Sequence, residues 1–251
     1  MSFAVTGRFA PVTLARITGG LYVLYMVVSV LANALGHIGL GDAQQIYLSI
    51  TTHPWLFRLG LVFAFVSAFL FLVVAWGLYV LLRTVNRDLA LLFLLLNAVG
   101  VAIQCASLLQ LISAIQAPEA AATAQLAADV YRGGFAAAQL FFGTWLFPLG
   151  YLVIKSRFLP RLLGILLILD GFAEMIRFIQ ALLLPAYPAI KVPGTVVSLL
   201  AEVGLALWLL IRGVTSRATT VAGDARSDAA VSDDTGVGGV QARLPMGQAG
   251  E

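Results

Sequence analysis

The chain has 251 residues, of which 61% are hydrophobic and 11% charged, and its formal net charge is +3. Its mean hydropathy is +0.97, whereas a soluble domain is about 45–50% apolar and about 25% charged. Such a chain cannot cover its surface with polar groups, so the composition excludes a water-soluble globular domain and predicts a multi-pass membrane protein. The basic residues lie at the ends of apolar runs rather than in one patch, which argues against nucleic-acid binding.

Six apolar runs are long enough to cross about 30 Å of hydrocarbon as helices. Because lipid cannot satisfy backbone polar groups, helices are the expected spanning form. The sequence therefore predicts an all-α integral membrane bundle of about six transmembrane helices. The predicted spans are about 17–36, 57–82, 89–116, 131–154, 162–184 and 195–212.

Basic residues near the span ends predict the orientation of the bundle. Nine lie on one side: Arg8, Arg16, Arg83, Arg87, Lys155, Arg157, Arg161, Arg212 and Arg217. Three lie on the other: Arg58, Arg132 and Lys191. The asymmetry predicts that both termini are cytoplasmic and favours an even number of spans.

The segments between the spans differ in character. The turns "RTVNRD" and "KSRFLPR" are short, which predicts that each joins antiparallel neighbours. The outer loops at 37–56 and 117–130 are longer, and "PEAAATAQLAAD" in the second predicts a helical lid or surface segment. Residues 213–251 lose the apolar pattern and are predicted to be a disordered cytoplasmic tail.

The first span has an alternative interpretation as a cleaved signal peptide. Arg8 and Arg16 precede an apolar core that ends in the small-residue stretch Ala32-Asn33-Ala34. The apolar run is longer than that of an ordinary signal peptide, so we expect the segment to be retained. Cleavage would leave five helices and an outward N-terminus.

The fifth span carries charges in its middle. Asp170, Glu174 and Arg177 are four and three residues apart, so their side chains stack on one helical face. At 1.5 Å per residue they lie roughly 12, 18 and 22 Å from the inner boundary. Glu202, which approaches from the opposite side on the last span, reaches the level of Glu174.

Further polar residues fall in the outer half of other spans. Asn33, Gln104 and Gln139 do so, and Arg58 and Arg132 lie near outer helix ends. A charge facing lipid near the bilayer centre costs about 2.5–3.5 kcal/mol. We therefore predict a polar core that opens toward the outer face, in which three acids are balanced by three bases.

Cysteine and histidine are scarce. Cys105, the single cysteine, excludes an intramolecular disulfide and a thiolate zinc site. His37, His53 and Asp42 could ligate a metal in the first outer loop, but their spacing matches no ligand pattern. We predict no metal site, and the sequence indicates no particular cofactor.

Two roles for the charged core remain open. The charges could lock helix register, or they could bind or transport a small polar or amphiphilic ligand, with Arg58 and Arg132 attracting an anionic group at the mouth. A third hypothesis is a membrane-embedded hydrolase or transferase that acts on lipid with Asp170 or Glu174 as general base. The shortage of histidine and of a recognisable nucleophile argues against it. A fourth is a structural accessory subunit of a membrane complex.

Several stretches carry a family resemblance: "LARITGGLYVLY", "HPWLFRLG", "LYVLLRTVNRDLALL", "FFGTWLFPLGYLVIKSRFLPRLLGILLILDGF" and "EVGLALWLLIRGV". Together they resemble the bacterial multi-pass membrane family catalogued as domain of unknown function 4386, over roughly residues 13–214. The turn "GYLVIKSRFLPRLLG", residues 150–164, is the most specific piece. The resemblance implies a bacterial plasma-membrane protein of about six helices with no assigned activity and no known catalytic residues.

Overall fold

A computed structural model describes residues 11–116 and 121–214, and within these residues the secondary structure is helical with no β-strand. The predicted all-α fold class is confirmed. The α-helices are α1 (Pro11–Gly36), α2 (Ala43–Thr52), α3 (Pro54–Leu82), α4 (Arg87–Gln116), α5 (Ala121–Ser156), α6 (Arg161–Leu183) and α7 (Val192–Ile211). A short 3-10 turn, Pro188–Lys191, leads into α7.

The long helices of the described residues form a closed ring. The order of contact around the ring is α1, α3, α4, α5, α6 and α7, and α7 packs back against α1. The short turns after α3 and α5 therefore join neighbours in the ring. This arrangement brings one face of every long helix toward a common interior.

A short helix crosses one end of the ring. The predicted outer loop 37–56 contains α2, which packs on α5, α3 and α1. Asp42 caps it, because its Oδ1 accepts from the Gln45 backbone N–H at 2.8 Å while Gln45 Oε1 accepts from the Asp42 backbone N–H at 2.9 Å. This reciprocal pair satisfies two otherwise unpaired donors and fixes the start of α2.

Aromatic side chains from α3 and α5 pack against one another inside the ring. The ring centroid of Phe71 lies 5.4 Å from that of Phe142 and 5.2 Å from that of Trp145, both in edge-to-face geometry. Trp145 is 1% exposed. Such contacts add to the stability gained from area burial alone, so these aromatic side chains join α3 to α5 within the core.

Glycines hold α6 closely against α5. A Cβ placed on Gly150 would lie 2.7 Å from the Gly164 carbonyl oxygen, and a Cβ placed on Gly164 would lie 2.7 Å from the Gly150 carbonyl oxygen. A Cβ on Gly143 would lie 3.2 Å from the Gly171 carbonyl oxygen. Small residues at such contacts allow membrane helices to approach backbone to backbone. The contacts therefore set the distance between α5 and the charged helix.

Five helices in the described part of the chain are long and apolar enough to cross a membrane: α1, α3, α4, α5 and α7. They support a membrane protein. At about 1.5 Å per residue, the 23 residues of α6 are also long enough, but Asp170, Glu174 and Arg177 interrupt its apolar character.

One predicted segment, 118–129, differs from the structure, and another, the tail, lies almost entirely outside the described residues. The stretch 118–129 was expected to be separate from the fourth span, but the helix that begins at Ala121 continues without a break to Ser156. The predicted tail lies outside the described residues from 215 onward. At its start, Gly213 ends α7 with a φ of 64°, a conformation that glycine adopts readily, and Val214 is buried.

Candidate functional site: a polar cavity inside the ring

A cavity of about 320 Å³ lies within the helix ring, beside the segment that links α1 to α2. Its volume falls in the range of about 300–1,000 Å³ that is usual for small-molecule sites. Each ring helix contributes at least one polar side chain to the wall. These side chains are Tyr25, Ser29, Asn33, Ser67, Gln104, Tyr131, Gln139, Glu174, Arg177, Thr195, Ser198 and Glu202.

An ion pair on α6 forms the charged part of the wall. Arg177 Nη2 lies 2.6 Å from Glu174 Oε1, as expected for residues three apart on a helix. Glu174 is 8% exposed. Asp170, one turn earlier on the same helix, is fully buried at 0% exposure. The tight contact between α5 and α6 leaves this face of α6 turned toward α7.

Ser198 on α7 joins these charges. Its Oγ accepts from Arg177 Nη2 at 2.6 Å, donates to Asp170 Oδ1 and lies 3.5 Å from Glu174 Oε1. It also lies 3.0 Å from the Gly194 carbonyl oxygen. A hydroxyl has one proton, so the acceptors compete for it. Ser198 therefore connects α6 to α7 through two charged groups.

Several polar atoms of the cluster have no hydrogen-bond partner in the described part of the chain. They are Asp170 Oδ2, Glu174 Oε2, Arg177 Nε and Asn33 Oδ1, and all are buried. Buried polar groups are normally paired because an unpaired group loses its hydration without compensation. In the wall itself a ligand or water could therefore bond to Glu174 Oε2, Asn33 Oδ1, Arg177 Nε and the Tyr131 hydroxyl, which is also buried without a partner.

Glu202 occupies a different position from the other acids. It lines the cavity from α7 and is partly buried. Within the described residues it makes no hydrogen bond or ion pair, unlike Asp170 and Glu174. Its carboxyl group is therefore not explained by helix pairing.

The structure brings together most, but not all, of the residues singled out from the sequence. Asn33, Gln104, Gln139, Glu174, Arg177 and Glu202 line the cavity, and Asp170 lies behind Ser198. Arg58 is exposed and is not part of the wall. Arg132 Nη1 instead donates to the Gly39 carbonyl oxygen at 3.3 Å, which ties α5 to the segment before α2.

The expected balance of three acids and three bases does not hold at this site. Asp170, Glu174 and Glu202 face a single guanidinium group, that of Arg177, among the described residues of the cluster. Sequence position put Arg58 and Arg132 near the outer helix ends, but Arg58 is exposed and Arg132 bonds to Gly39 at the edge of the cavity instead of to the acids. Ser198 was missed, although its place four residues before Glu202 puts both on one face of α7.

The polar residues of the first outer loop have structural roles. His37 Nδ1 lies 2.8 Å from Ser49 Oγ, and Asp42 caps α2. Among the residues that the structure describes, no group of three His, Cys, Asp or Glu side chains is placed to hold a metal ion.

The mouth of the cavity lies between α1 and α7. Among the wall residues, Val30, Leu40 and Leu199 are 64%, 71% and 62% exposed, and Thr195 is also exposed. They come from α1, from the segment after it and from α7. Farther along the same two helices, a Cβ on Gly19 would lie 2.8 Å from the Ala206 carbonyl oxygen. The two helices are thus in close contact away from the mouth.

A comparison with family models identifies the chain. The model described as Domain of unknown function (DUF4386) matches residues 17–213. The chain belongs to the DUF4386 family. The match spans every residue of the polar cluster and confirms the resemblance seen in the sequence motifs. No curated protein matches this family member, and no solved structure matches it.

Proposed function

We propose that this DUF4386 protein binds or transports a small polar or amphiphilic ligand in the cavity. The observation that carries the proposal is the pair of buried, unpartnered oxygens of Glu174 and Asn33 in the wall of one cavity, with that of Asp170 next to them behind Ser198. Ionisable groups inside a membrane are costly and are usually functional. A ligand that bonds to these atoms would offset that cost.

A purely structural role accounts for only part of the cluster. The bonds of Ser198 to Asp170 and Arg177 connect α6 to α7 and would by themselves maintain helix register. They do not account for Glu202, which makes no bond to another helix in the described residues. Nor do they account for Gln104 and Gln139, which line the same cavity from α4 and α5.

We further propose that all six ring helices span the plasma membrane, with the ends of α3, α5 and α7 on the cytoplasmic side. At these ends Arg83 lies 6.0 Å from the Tyr79 ring centroid, Lys155 5.7 Å from that of Tyr151, and Arg212 5.3 Å from that of Trp208. Basic and aromatic side chains together are typical of the cytoplasmic interface. The cavity then lies in the outer half of the bilayer.

Native mass spectrometry after gentle purification from the cell membrane tests the proposal. We expect a stoichiometric small molecule on the wild-type protein and its loss from Glu174→Gln and Glu202→Gln. Asp129→Asn is the matched control, because Asp129 is exposed and contacts Gln125 on its own helix. Ligand-free spectra from membranes, detergent and nanodiscs alike would contradict the proposal. A stoichiometric partner chain would instead indicate an accessory subunit.

A further inference from the structure

The charges around the cavity indicate which kind of ligand it accepts. With its carboxyl groups ionised, the cluster holds three negative charges, on Asp170, Glu174 and Glu202, and one positive charge, on Arg177, among the described residues. Arg58 and Arg132, which together would have neutralised the two excess negative charges, lie outside the wall. Two charges of the same sign in a site of low dielectric repel strongly. A cationic ligand would relieve that repulsion.

The hydrogen-bonding atoms indicate the same class of ligand. The unpartnered buried atoms of the wall are the acceptors Asn33 Oδ1 and Glu174 Oε2, the donor Arg177 Nε and the Tyr131 hydroxyl, and a third acceptor, Asp170 Oδ2, lies behind Ser198. Glu202 adds further acceptor oxygens to the wall without a bond of its own in the described residues. An ammonium group supplies three donors and no acceptor. It therefore complements this wall better than a carboxylate or a phosphate.

The mouth indicates the shape of the ligand. Val30, Leu40 and Leu199 border it, all strongly exposed and all apolar. They belong to α1, the following segment and α7, on the outside of the ring where hydrocarbon surrounds the protein. A ligand that reaches the acids through this opening keeps its distal part among apolar side chains and lipid.

Taking the cavity as the ligand site proposed for this protein, we infer that it accepts a cationic amphiphile. The protonated amine lies among Glu174, Glu202 and Asn33, and the apolar tail leaves between α1 and α7. Glu202 provides the free carboxylate for the amine, while Arg177 and Ser198 hold Glu174 and Asp170 in place.

Three probes with the same tail separate charge from hydrophobicity: dodecylamine, dodecanol and dodecanoate. Each is titrated into the full-length protein in nanodiscs, and binding is measured by calorimetry with empty nanodiscs subtracted. We expect saturable dodecylamine binding at least tenfold tighter than that of dodecanol, which is about 1.4 kcal/mol, and no binding of dodecanoate. Glu202→Gln should weaken dodecylamine binding at least tenfold, whereas Asp129→Asn should not.

A second pair of measurements tests folding and the route. Glu202→Gln should have the same melting temperature as the wild-type protein. Within the described residues Glu202 makes no hydrogen bond or ion pair whose loss would destabilise the protein. Leu199→Trp should weaken the binding of dodecylamine but leave the binding of ethylamine unchanged, because ethylamine has no long tail that must pass the mouth. Equal weakening of both amines would overturn the route between α1 and α7.

The outcomes also distinguish the two proposals. Saturable binding of dodecanoate or dodecanol in preference to dodecylamine would overturn the cationic ligand while leaving a ligand cavity in place. Dodecylamine binding that Glu202→Gln does not change would overturn the assignment of the amine to this cluster. If no probe binds saturably and the native mass is ligand-free, both the ligand class and the proposed function are wrong.

Discussion

Replacing Ser198 with alanine should destabilise the protein more than any other loss of one hydroxyl from its described membrane helices. The change removes the hydrogen bond from Arg177 and the one to Asp170, both of which involve a charged group. Hydrogen bonds to charged groups contribute about 1.5–3 kcal/mol each. Asp170 is fully buried, so the loss of the Ser198 hydroxyl leaves a second oxygen of its carboxyl group unpaired.

Because two such bonds are lost, we expect Ser198→Ala to lower the free energy of unfolding by about 3–6 kcal/mol. At about 2–4 °C per kcal/mol for a chain of this size, the melting temperature should fall by roughly 6–24 °C. The assay is thermal unfolding of the detergent-solubilised protein followed by tryptophan fluorescence, with chemical denaturation as a second measurement.

Ser113→Ala is the matched control. Ser113 is exposed on α4, and its hydroxyl donates to the Gln110 carbonyl oxygen of its own helix at 2.6 Å. Its replacement should change stability by less than about 0.5 kcal/mol. If Ser198→Ala and Ser113→Ala have the same melting temperature, Ser198 does not hold the charged groups as described.

A double substitution tests the physical cause. If the cost of Ser198→Ala comes from the unpaired carboxylate, then adding Asp170→Asn should recover part of the lost stability, because a neutral amide costs less to bury. Additive destabilisation by the two substitutions would refute the reasoning.

Three further predictions concern packing, the outer segment and topology. Gly150→Ala should lower stability by about 1–3 kcal/mol through overpacking against α6, whereas Gly133→Ala, where a Cβ meets nothing within 4 Å, should leave it unchanged or raised by up to about 1 kcal/mol; equal melting temperatures would contradict the close helix contact. Arg132→Gln should speed amide hydrogen exchange in the segment before α2, because it removes the bond to Gly39; unchanged exchange there would show that the bond contributes nothing. If α6 spans the membrane, Ser156→Cys and Tyr187→Cys, each in a background without the native cysteine, should be labelled from opposite sides of sealed vesicles; labelling of both from one side would exclude the sixth span.

Much of the fold was predictable because the relevant forces are local or averaged over long runs. A run of about 20 apolar residues forms a helix in lipid regardless of its neighbours, so α3, α4 and α7 follow from composition. The helix α2 was not predicted, because the search was for apolar runs of about 20 residues and its ten residues are too few to cross a membrane. Its capping pair, Asp42 and Gln45, was a local signal that could have indicated it.

The sequence predicted how deep in the membrane each residue of the candidate site lies, but not which way its side chain points. Rise per residue places Glu174 and Glu202 at one level from sequence alone. It also places Arg58 and Arg132 near the mouth, yet one is exposed and the other bonds to Gly39. The rotation of each helix about its axis depends on which neighbours it packs against, and this information is not local. Ser198 escaped notice for a related reason, since a serine in a membrane helix usually bonds to its own backbone.

The sequence by itself determined that the protein lies in lipid, that it is helical, and that the charges of α6 should face away from lipid. Each of these depends on the free energy of transferring side chains and backbone into hydrocarbon. The tertiary structure decided which groups meet. Closure of the ring by α7 on α1 places Ser198 and Glu202 beside Asp170, Glu174 and Arg177. It thereby sets the excess of acid in the cavity and the position of its mouth, and both depend on contacts between residues far apart in the chain.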